Sequence, residues 1–377
     1  MNLRRTRAVA RKEFRHVLRD ARSLSLALAM PMMMLLLFGY ALSLDVDQIP
    51  TAVVDQDRTP QSRELLARFA ASRYFKLVEF PEHLQDIERL ILRGKVVLGI
   101  VIPPDYSRHV TSGRAAQVQL LLDGSDSNTA SIAASYADGV SQAFALELRE
   151  HSMNQRSGMS MPAAVQTRMR VWYNSELKSK NYIVPGLIAV ILMIISALLT
   201  SLTIAREWEM GTMEQVLSTP LRPAELVLGK MSAYFALGLA DAFIAVGIGV
   251  LLFGVPMRGN LALLFLSTCI FLFGALCWGI LISAIARSQV LACQMGIISS
   301  FLPAFLLSGF VFSIENMPAV VQAVTHIFPA RYFVTLLKAI FLKGIGVTLL
   351  WTELGFLLAY CTIVFVAATR KVGSKLA

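Results

Sequence analysis

The chain has 377 residues, of which 55% are hydrophobic and only 16% are charged, and its mean hydropathy is +0.60. A soluble core of this size cannot bury so much apolar surface, so the composition excludes a water-soluble globular protein and predicts a membrane protein. The net charge of +10 does not indicate nucleic-acid binding, because Arg and Lys are not interleaved with exposed aromatic residues on a polar domain.

Residues 1–22 are predicted to form a cytoplasmic elbow helix ahead of the first apolar stretch. Apolar residues recur there at helical spacing, with Arg and Lys on the other faces, which indicates an amphipathic helix lying in the membrane interface. A plain basic anchor that only sets the topology is the alternative interpretation. The apolar positions are Ala10, Phe14, Val17, Leu18 and Ala21.

Six apolar stretches reach the roughly 20 residues that a helix needs to cross a bilayer. The predicted fold class is therefore a polytopic α-helical membrane protein with six transmembrane helices. The first stretch also resembles a secretory signal, but its apolar run is longer than the roughly 7–15 residues of a signal core. The stretches are residues 23–44, 183–205, 226–253, 261–286, 290–312 and 349–369.

Basic residues near the helix ends predict the orientation, because short cytoplasmic loops hold the excess of Arg and Lys. Eight of them precede the first stretch, which places the N-terminus inside the cell. Counting six spans then places the loop at 206–225, Arg287 and the tail at 370–377 inside as well. The basic residues of the tail support the same assignment.

The long segment at 45–181 lies outside by this count. It carries 16 acidic and 16 basic residues, a balance typical of a folded domain, and it is long enough to fold independently. Its apolar runs predict strands and its helical spacing predicts helices, so an inserted extracytoplasmic α/β domain is expected. The strands are predicted at 51–54, 96–102 and 118–122, and the helices at 61–71, 82–92 and 130–150.

A second outer segment, at 313–348, is only partly apolar. Pro318 and Pro329 interrupt it, and a helical pattern with Arg331 and Lys338 resumes afterwards. We expect a re-entrant or interfacial hairpin rather than a span.

The loop at 206–225 carries four glutamates at a position where basic residues should predominate. Gly211 and Thr212 allow a break after the second span, and Pro220 and Pro223 favour a turn before the third. A rigid acidic elbow of this kind suits docking to a partner. A solvated loop whose acids merely offset nearby arginines is the alternative.

This loop resembles the signature of the type-2 ABC exporter permeases. The shared elements are Arg206-Glu207, an acid at Glu209, Gly211-Thr212, Glu214, Thr219-Pro220 and a final Gly229-Lys230. Further likeness lies in Lys12-Glu13-Phe14, in Val53-Val54-Asp55 followed by Ser62, and in Pro329 with Arg331. Six spans with a large domain between the first two match one branch of that family.

The resemblance implies a permease subunit in a bacterial inner membrane, paired with a second copy or a similar permease and bound to separate ATPase subunits. In that branch the outer domain often works beside a periplasmic adaptor and an outer-membrane channel, and drugs are among the suggested cargo. For this chain we expect a hydrophobic or amphipathic cargo. The residues that would contact the ATPase are Glu13, Phe14, Arg206, Glu207, Glu209, Gly211, Thr212, Glu214 and Pro220.

Catalytic motifs are missing from the sequence, so we expect no enzyme activity and no cofactor in this chain. The phosphate-binding pattern G-x-x-x-x-G-K-[ST] does not occur, because Ala224 and Met231 replace its first glycine and its hydroxyl residue. ATP and Mg²⁺ would act through the partner ATPase. Scattered histidines, and cysteines confined to apolar stretches, predict neither a metal site nor a disulfide framework.

Candidate pathway residues lie inside the spans. Asp241 is an ionisable residue midway along the third span, where it would contact a proton or substrate, or else bond to a neighbouring helix. Ser196 and Thr200 form a polar stripe on the second span, which packing between helices also explains. The rival functions are a membrane sensor with a ligand-binding outer domain and an intramembrane enzyme, for which Asp241 lacks a second carboxylate.

Overall fold

The computed structural model describes residues 2–41, 47–112, 114–157, 173–174, 178–286 and 288–376. Residues 42–44 of the first predicted span and Arg287 therefore lie outside the described residues. The chain forms two compact units, which we call the helical unit (Met1–Ser43 with Val171–Ala377) and the α/β unit (Leu44–Arg170). In chain order the elements are α1 (Leu3–Arg19), α2 (Ala21–Ala41), β1 (Ile49–Asp55), α3 (Pro60–Ala71), β2 (Phe75–Glu79), α4 (Leu84–Leu92), β3 (Leu98–Ile102), α5 (Tyr106–Ser112), β4 (Gln119–Leu122), α6 (Ser127–Ser157), α7 (Ser179–Glu209), α8 (Met213–Leu217), α9 (Pro223–Leu251), α10 (Leu261–Ile285), α11 (Gln289–Leu306), α12 (Ala319–Thr325), α13 (Pro329–Lys338) and α14 (Val347–Leu376).

Five helices among the described residues are long and apolar enough to cross a membrane, namely α7, α9, α10, α11 and α14. The segments Ala319–Thr325 and Pro329–Lys343 form a bent pair at 85°, as a broken span or a re-entrant loop would. In α2 the apolar helix Ala27–Ala41 is shorter than a full span. The protein is therefore a polytopic, mainly helical membrane protein with five to six candidate spans.

Several helix ends differ from the apolar stretches that predicted them. Helix α11 ends at Leu306 rather than at residue 312, because the chain turns at Gly309, whose φ of +77° is left-handed. Helix α14 continues through the predicted tail to Leu376, since polar residues can prolong a helix beyond the bilayer. Helix α7 reaches Glu209, so the first residues of the predicted loop are helical.

Helix α7 is the centre of the helical unit. In its most apolar window 83% of residues are buried, against 22–33% in α9, α11 and α14, whose remaining sides are left for lipid or partners. Helix α10 approaches it most closely at Gly279, where a Cβ atom would lie 2.0 Å from Thr200 Oγ1 and 2.5 Å from the Ala197 carbonyl oxygen. Small residues at such crossings let membrane helices pack backbone to backbone.

The bent helix pair is stabilised by Arg331. Its guanidinium donates to the Gln322 carbonyl oxygen at 3.3 Å and to the Thr325 hydroxyl, which joins α12 to the start of α13 across the bend. Pro329 occupies the first turn of α13, where a missing backbone N–H costs no hydrogen bond. The Pro-x-Arg pair therefore has a local structural role in this chain.

The α/β unit is a four-stranded sheet in the order β2-β1-β3-β4, with β1 parallel to both neighbours and β4 antiparallel to β3. Helix α4 packs on one face, while α3, α5 and α6 cover the other. Asp55, at the end of β1, accepts a hydrogen bond from the Ser62 hydroxyl at 2.6 Å and so fixes the start of α3. The motif of Val53-Val54-Asp55 with Ser62 thus joins a buried strand to the helix that follows it.

Two elements of this unit were not predicted from the sequence. Strand β2 is an edge strand whose residues Phe75–Glu79 include two charges and only one buried side chain, so its apolar signal is weak. Helix α5 has seven residues, too few for a helical period to show. The predicted helix at 130–150 falls within the longer α6.

Candidate functional site

The end of α7 and the start of α9 are joined by a compact turn. Gly211 has a φ of +72°, the left-handed conformation that commonly ends a helix, and Pro223 begins α9 at a position that favours proline. Between them α8 is anchored by Met213, whose side chain is buried among α7, α9 and α10. Glu214 and Gln215 remain exposed on this anchored helix.

A buried group of charges joins α1, α7 and α9. Lys230 is 2% exposed, and its Nζ lies 3.1 Å from Glu13 Oε1 and 2.8 Å from Glu207 Oε1. Lys12, which is largely exposed, lies 3.2 Å from the same Glu207 oxygen. We call Glu13, Glu207 and Lys230 the ionic triad. A buried ion pair of this kind resists separation, because either partner alone would be an uncompensated buried charge.

Helix α1 is held against α9 by further contacts. The Asn2 backbone N–H donates to Glu225 Oε1 at 2.6 Å, and the Arg222 N–H donates to the other oxygen of the same carboxylate at 3.2 Å. The Arg5 guanidinium donates to the Pro220 carbonyl oxygen. The elbow helix, the turn and the start of α9 therefore form one packed assembly, which we call the junction.

Gly229 is the point of closest approach within the junction. A Cβ atom there would lie 2.6 Å from Val9 Cβ and 3.2 Å from the Thr6 carbonyl oxygen. The face of α1 that meets α9 thus includes Val9 and Glu13, whereas Phe14 and Leu18 of the predicted apolar face are 39% and 65% exposed. That exposed apolar face is available to lipid, as an interfacial helix requires.

We expect Gly229→Ala to lower the free energy of unfolding by about 1–3 kcal/mol, because the new methyl group must push α1 away from α9. Gly247→Ala in the same helix is the matched control, since nothing lies within 4 Å of its added Cβ and alanine favours a helix. Thermal unfolding in detergent and trypsin cleavage within α1 measure the effect. Equal unfolding temperatures and equal trypsin cleavage of the two variants would contradict the close packing of α1 against α9 at Gly229.

The residues predicted to contact an ATPase fall into two groups. Glu13 and Glu207 are buried in the ionic triad, and with Arg206 and Thr212 they line a groove of about 600 Å³. Arg206 is itself exposed, and the other exposed residues are Phe14, Glu209, Gly211, Glu214 and Pro220. Glu209 also accepts hydrogen bonds from the Gln289 backbone N–H and side-chain amide, at 3.0 and 2.9 Å.

The central residue of the triad was not selected as a site residue from the sequence. Lys230 was noted only as the end of a motif and as a near match to a phosphate-binding loop. The sequence did contain one signal for Lys230: it is a lone lysine among apolar neighbours on a predicted helix. Such a lysine is expected to be buried, and a buried cation needs a buried partner. The partners could not be inferred, since Glu13 is 217 residues away in the chain.

The candidate pathway residues lie at the interfaces of α7. Thr200 Oγ1 lies 2.8 Å from the Ser196 carbonyl oxygen and 3.0 Å from that of Leu276, so it bonds α7 to α10. Ser196 is buried opposite Gly238 of α9. Asp241, one turn beyond Gly238, is 1% exposed, and neither of its carboxylate oxygens has a hydrogen-bond partner among the described residues. A buried polar group left in that state is costly to the fold.

A family model described as ABC-2 family transporter protein matches residues 22–370. The match extends over most of the sequence, so the chain belongs to the ABC-2 family of transporter proteins. The family resemblance seen in the loop at 206–225, and the permease function it implies, are confirmed.

Similar proteins carry matching names. The Escherichia coli K12 protein named "Probable multidrug ABC transporter permease YbhS" is 35% identical over 98% of this chain and 96% of its own length. The protein of the same organism named "Probable multidrug ABC transporter permease YbhR" is 34% identical over 91% of each chain. A third, "Inner membrane transport permease YhhJ", is 26% identical over 86% of each chain.

Proposed function

We propose that this chain is the membrane subunit of an ATP-driven exporter of hydrophobic or amphipathic compounds, drugs among them, in a bacterial inner membrane. It would act with a second permease copy or a similar permease and with separate ATPase subunits that bind ATP and Mg²⁺. The family membership supports the permease role, and the names of the similar proteins support the inner membrane and the class of cargo. The periplasmic adaptor and the outer-membrane channel stay predictions.

The junction supports coupling to an ATPase. Helix α8 is short, anchored by buried Met213, and presents exposed Glu214 at the end of the central helix α7. A partner that pushes on α8 would move a packed assembly rather than a loose loop, because the ionic triad ties α1 and α9 to α7. In this proposal Glu13 and Glu207 act inside the junction, and the exposed residues form the contact surface.

The test of this proposal is Glu214→Lys. Reversing the charge should reduce recovery of the ABC ATPase during gentle-detergent purification at least about tenfold. A partner surface that is complementary to Glu214 is basic, so it would repel a lysine at this position. Recovery is measured by mass spectrometry of what co-purifies with the chain. Glu88→Lys, an exposed reversal in the α/β unit, is the control. Undiminished recovery with Glu214→Lys would contradict docking at α8.

The proposed topology has six spans, α2, α7, α9, α10, α11 and α14, with both termini in the cytoplasm and the α/β unit outside. Single cysteines at Gln85 and Gln215, both exposed, can test it in a chain whose four native cysteines are changed to serine. A membrane-impermeant maleimide on intact spheroplasts should label Gln85→Cys and spare Gln215→Cys. The opposite pattern would invert the orientation.

A further inference from the structure

One side of α1 carries a dense group of basic side chains next to the end of α7. They line an open groove of about 820 Å³, in which Asp20 is the sole acidic lining residue among the described residues. We call this the basic groove, and its basic lining residues are Arg11, Lys12, Arg15, His16, Arg19 and Arg206.

Most of this positive charge is not neutralised within the protein. Lys12 pairs with Glu207, but no described carboxylate lies within ion-pair distance of Arg11, Arg15, Arg19 or Arg206. All four arginines are exposed. Clustered guanidinium groups favour phosphate, whose oxygens accept their paired N–H donors.

A groove with mainly apolar walls, which we call the apolar groove, adjoins the basic one. It is the groove of about 600 Å³ described above, and Lys12, His16, Asp20 and Arg206 line both. Its apolar walls come from three helices: Leu24 and Ala27 from α2, Leu199 and Leu202 from α7, and Leu237 from α9. A ligand that fits both grooves has a negative head and a hydrocarbon tail.

We propose that the two grooves form a binding site for an anionic phospholipid of the membrane leaflet that faces α1. The phosphate would contact Arg15, Arg19 and Arg206, and an acyl chain would lie along Leu199 and Leu202. Basic clusters next to membrane helices are attracted to anionic lipid surfaces. An acidic protein surface would satisfy the arginines but would leave the apolar groove unfilled. This site does not depend on ATPase docking at α8.

The experiment uses the full chain in nanodiscs that contain equal amounts of phosphatidylglycerol and phosphatidylcholine. Native mass spectrometry then counts the lipids that stay bound after release, with no ATPase present. We expect the wild-type chain to retain phosphatidylglycerol preferentially, and the triple variant Arg15→Gln, Arg19→Gln, Arg206→Gln to retain it at least about tenfold less. The control, Arg93→Gln, Lys95→Gln, Arg108→Gln, removes three exposed charges from the α/β unit and should match wild type.

Leu202→Trp keeps every charge but narrows the apolar groove, so it should also reduce retention; unchanged retention would overturn the acyl-chain contact. Equal retention by the triple variant and wild type would overturn the headgroup site. Displacement of the lipid by excess inorganic phosphate would mean that the groove binds a free anion instead. If the triple variant keeps the lipid but fails to recover the ABC ATPase in the gentle-detergent purification described above, the basic groove is a protein-docking surface.

Discussion

Replacing Lys230 by methionine should lower the free energy of unfolding by about 3–5 kcal/mol, because the change removes the buried cation of Glu13 and Glu207 and leaves only the largely exposed Lys12 beside them. Methionine fills a similar volume, so the loss reports charge rather than a cavity. Thermal unfolding of the purified chain in detergent, followed by tryptophan fluorescence, measures the change. We also expect α1 to become accessible to trypsin, since the triad is one of the main contacts holding it to α9.

Lys12→Met is the matched control for Lys230→Met. Lys12 lies 3.2 Å from the same Glu207 oxygen, but its side chain is 61% exposed. An exposed ion pair is worth at most about 1 kcal/mol, so this variant should unfold close to the wild-type temperature. If Lys230→Met and Lys12→Met unfolded at the same temperature, the buried charge of Lys230 would not stabilise the fold, and the ionic triad would not hold α1 against α9.

A triple variant separates the effect of the buried charges on stability from the effect of side-chain packing in the ionic triad. Adding Glu13→Gln and Glu207→Gln to Lys230→Met removes all three buried charges together. Neutralising a complete buried set costs less than breaking it, so the triple variant should recover part of the lost stability. A triple variant less stable than Lys230→Met would show that the glutamates make other essential contacts.

Asp241→Leu should have the opposite effect on stability. Both carboxylate oxygens are buried without a hydrogen-bond partner among the described residues, so an apolar side chain of similar size should raise the free energy of unfolding by about 1–3 kcal/mol. We expect export to fall at least about tenfold in the same variant, because an ionisable group kept in the membrane at such a cost is a functional candidate. The measurements are thermal unfolding and ATP-driven accumulation of a hydrophobic dye in inverted vesicles that contain the ATPase.

Ser267→Ala provides the comparison for Asp241→Leu. Ser267 is fully buried in α10, and its hydroxyl donates to the Leu264 carbonyl oxygen at 3.0 Å, so its hydrogen bond is satisfied locally. This variant should export like wild type. Wild-type flux together with reduced stability in Asp241→Leu would mean that Asp241 has a packing role and is not on the pathway.

Much of the helical unit could be predicted because its signal is local. An apolar run of about 20 residues predicts a membrane span without any knowledge of the helices that pack against it. Gly211 and Pro223 likewise marked the break between α7 and α9, since the backbone preference of a residue is its own property. Edge strand β2 escaped prediction because an edge strand needs no continuous apolar run.

The site was only partly predictable, because its decisive contacts are long-range. Helical periodicity indicated that α1 has an apolar face with Phe14 and Leu18, and the structure leaves both exposed. The face that packs on α9 is instead the one with Val9, because Gly229 provides room for it. Periodicity reports how one helix divides its surface, and it carries no information about which face a distant helix will meet.

The sequence by itself determined that this chain enters a membrane as a bundle of helices, that it carries an inserted α/β segment, and that it belongs with the ABC exporter permeases. These conclusions follow from hydropathy, turn residues and a short motif, all of which act over a few turns of chain. Only the tertiary structure decided that Glu13 and Glu207 are buried on Lys230, and that the basic and apolar grooves adjoin. The energetic effect of a charge depends on the dielectric and the partners around it, and tertiary packing sets both.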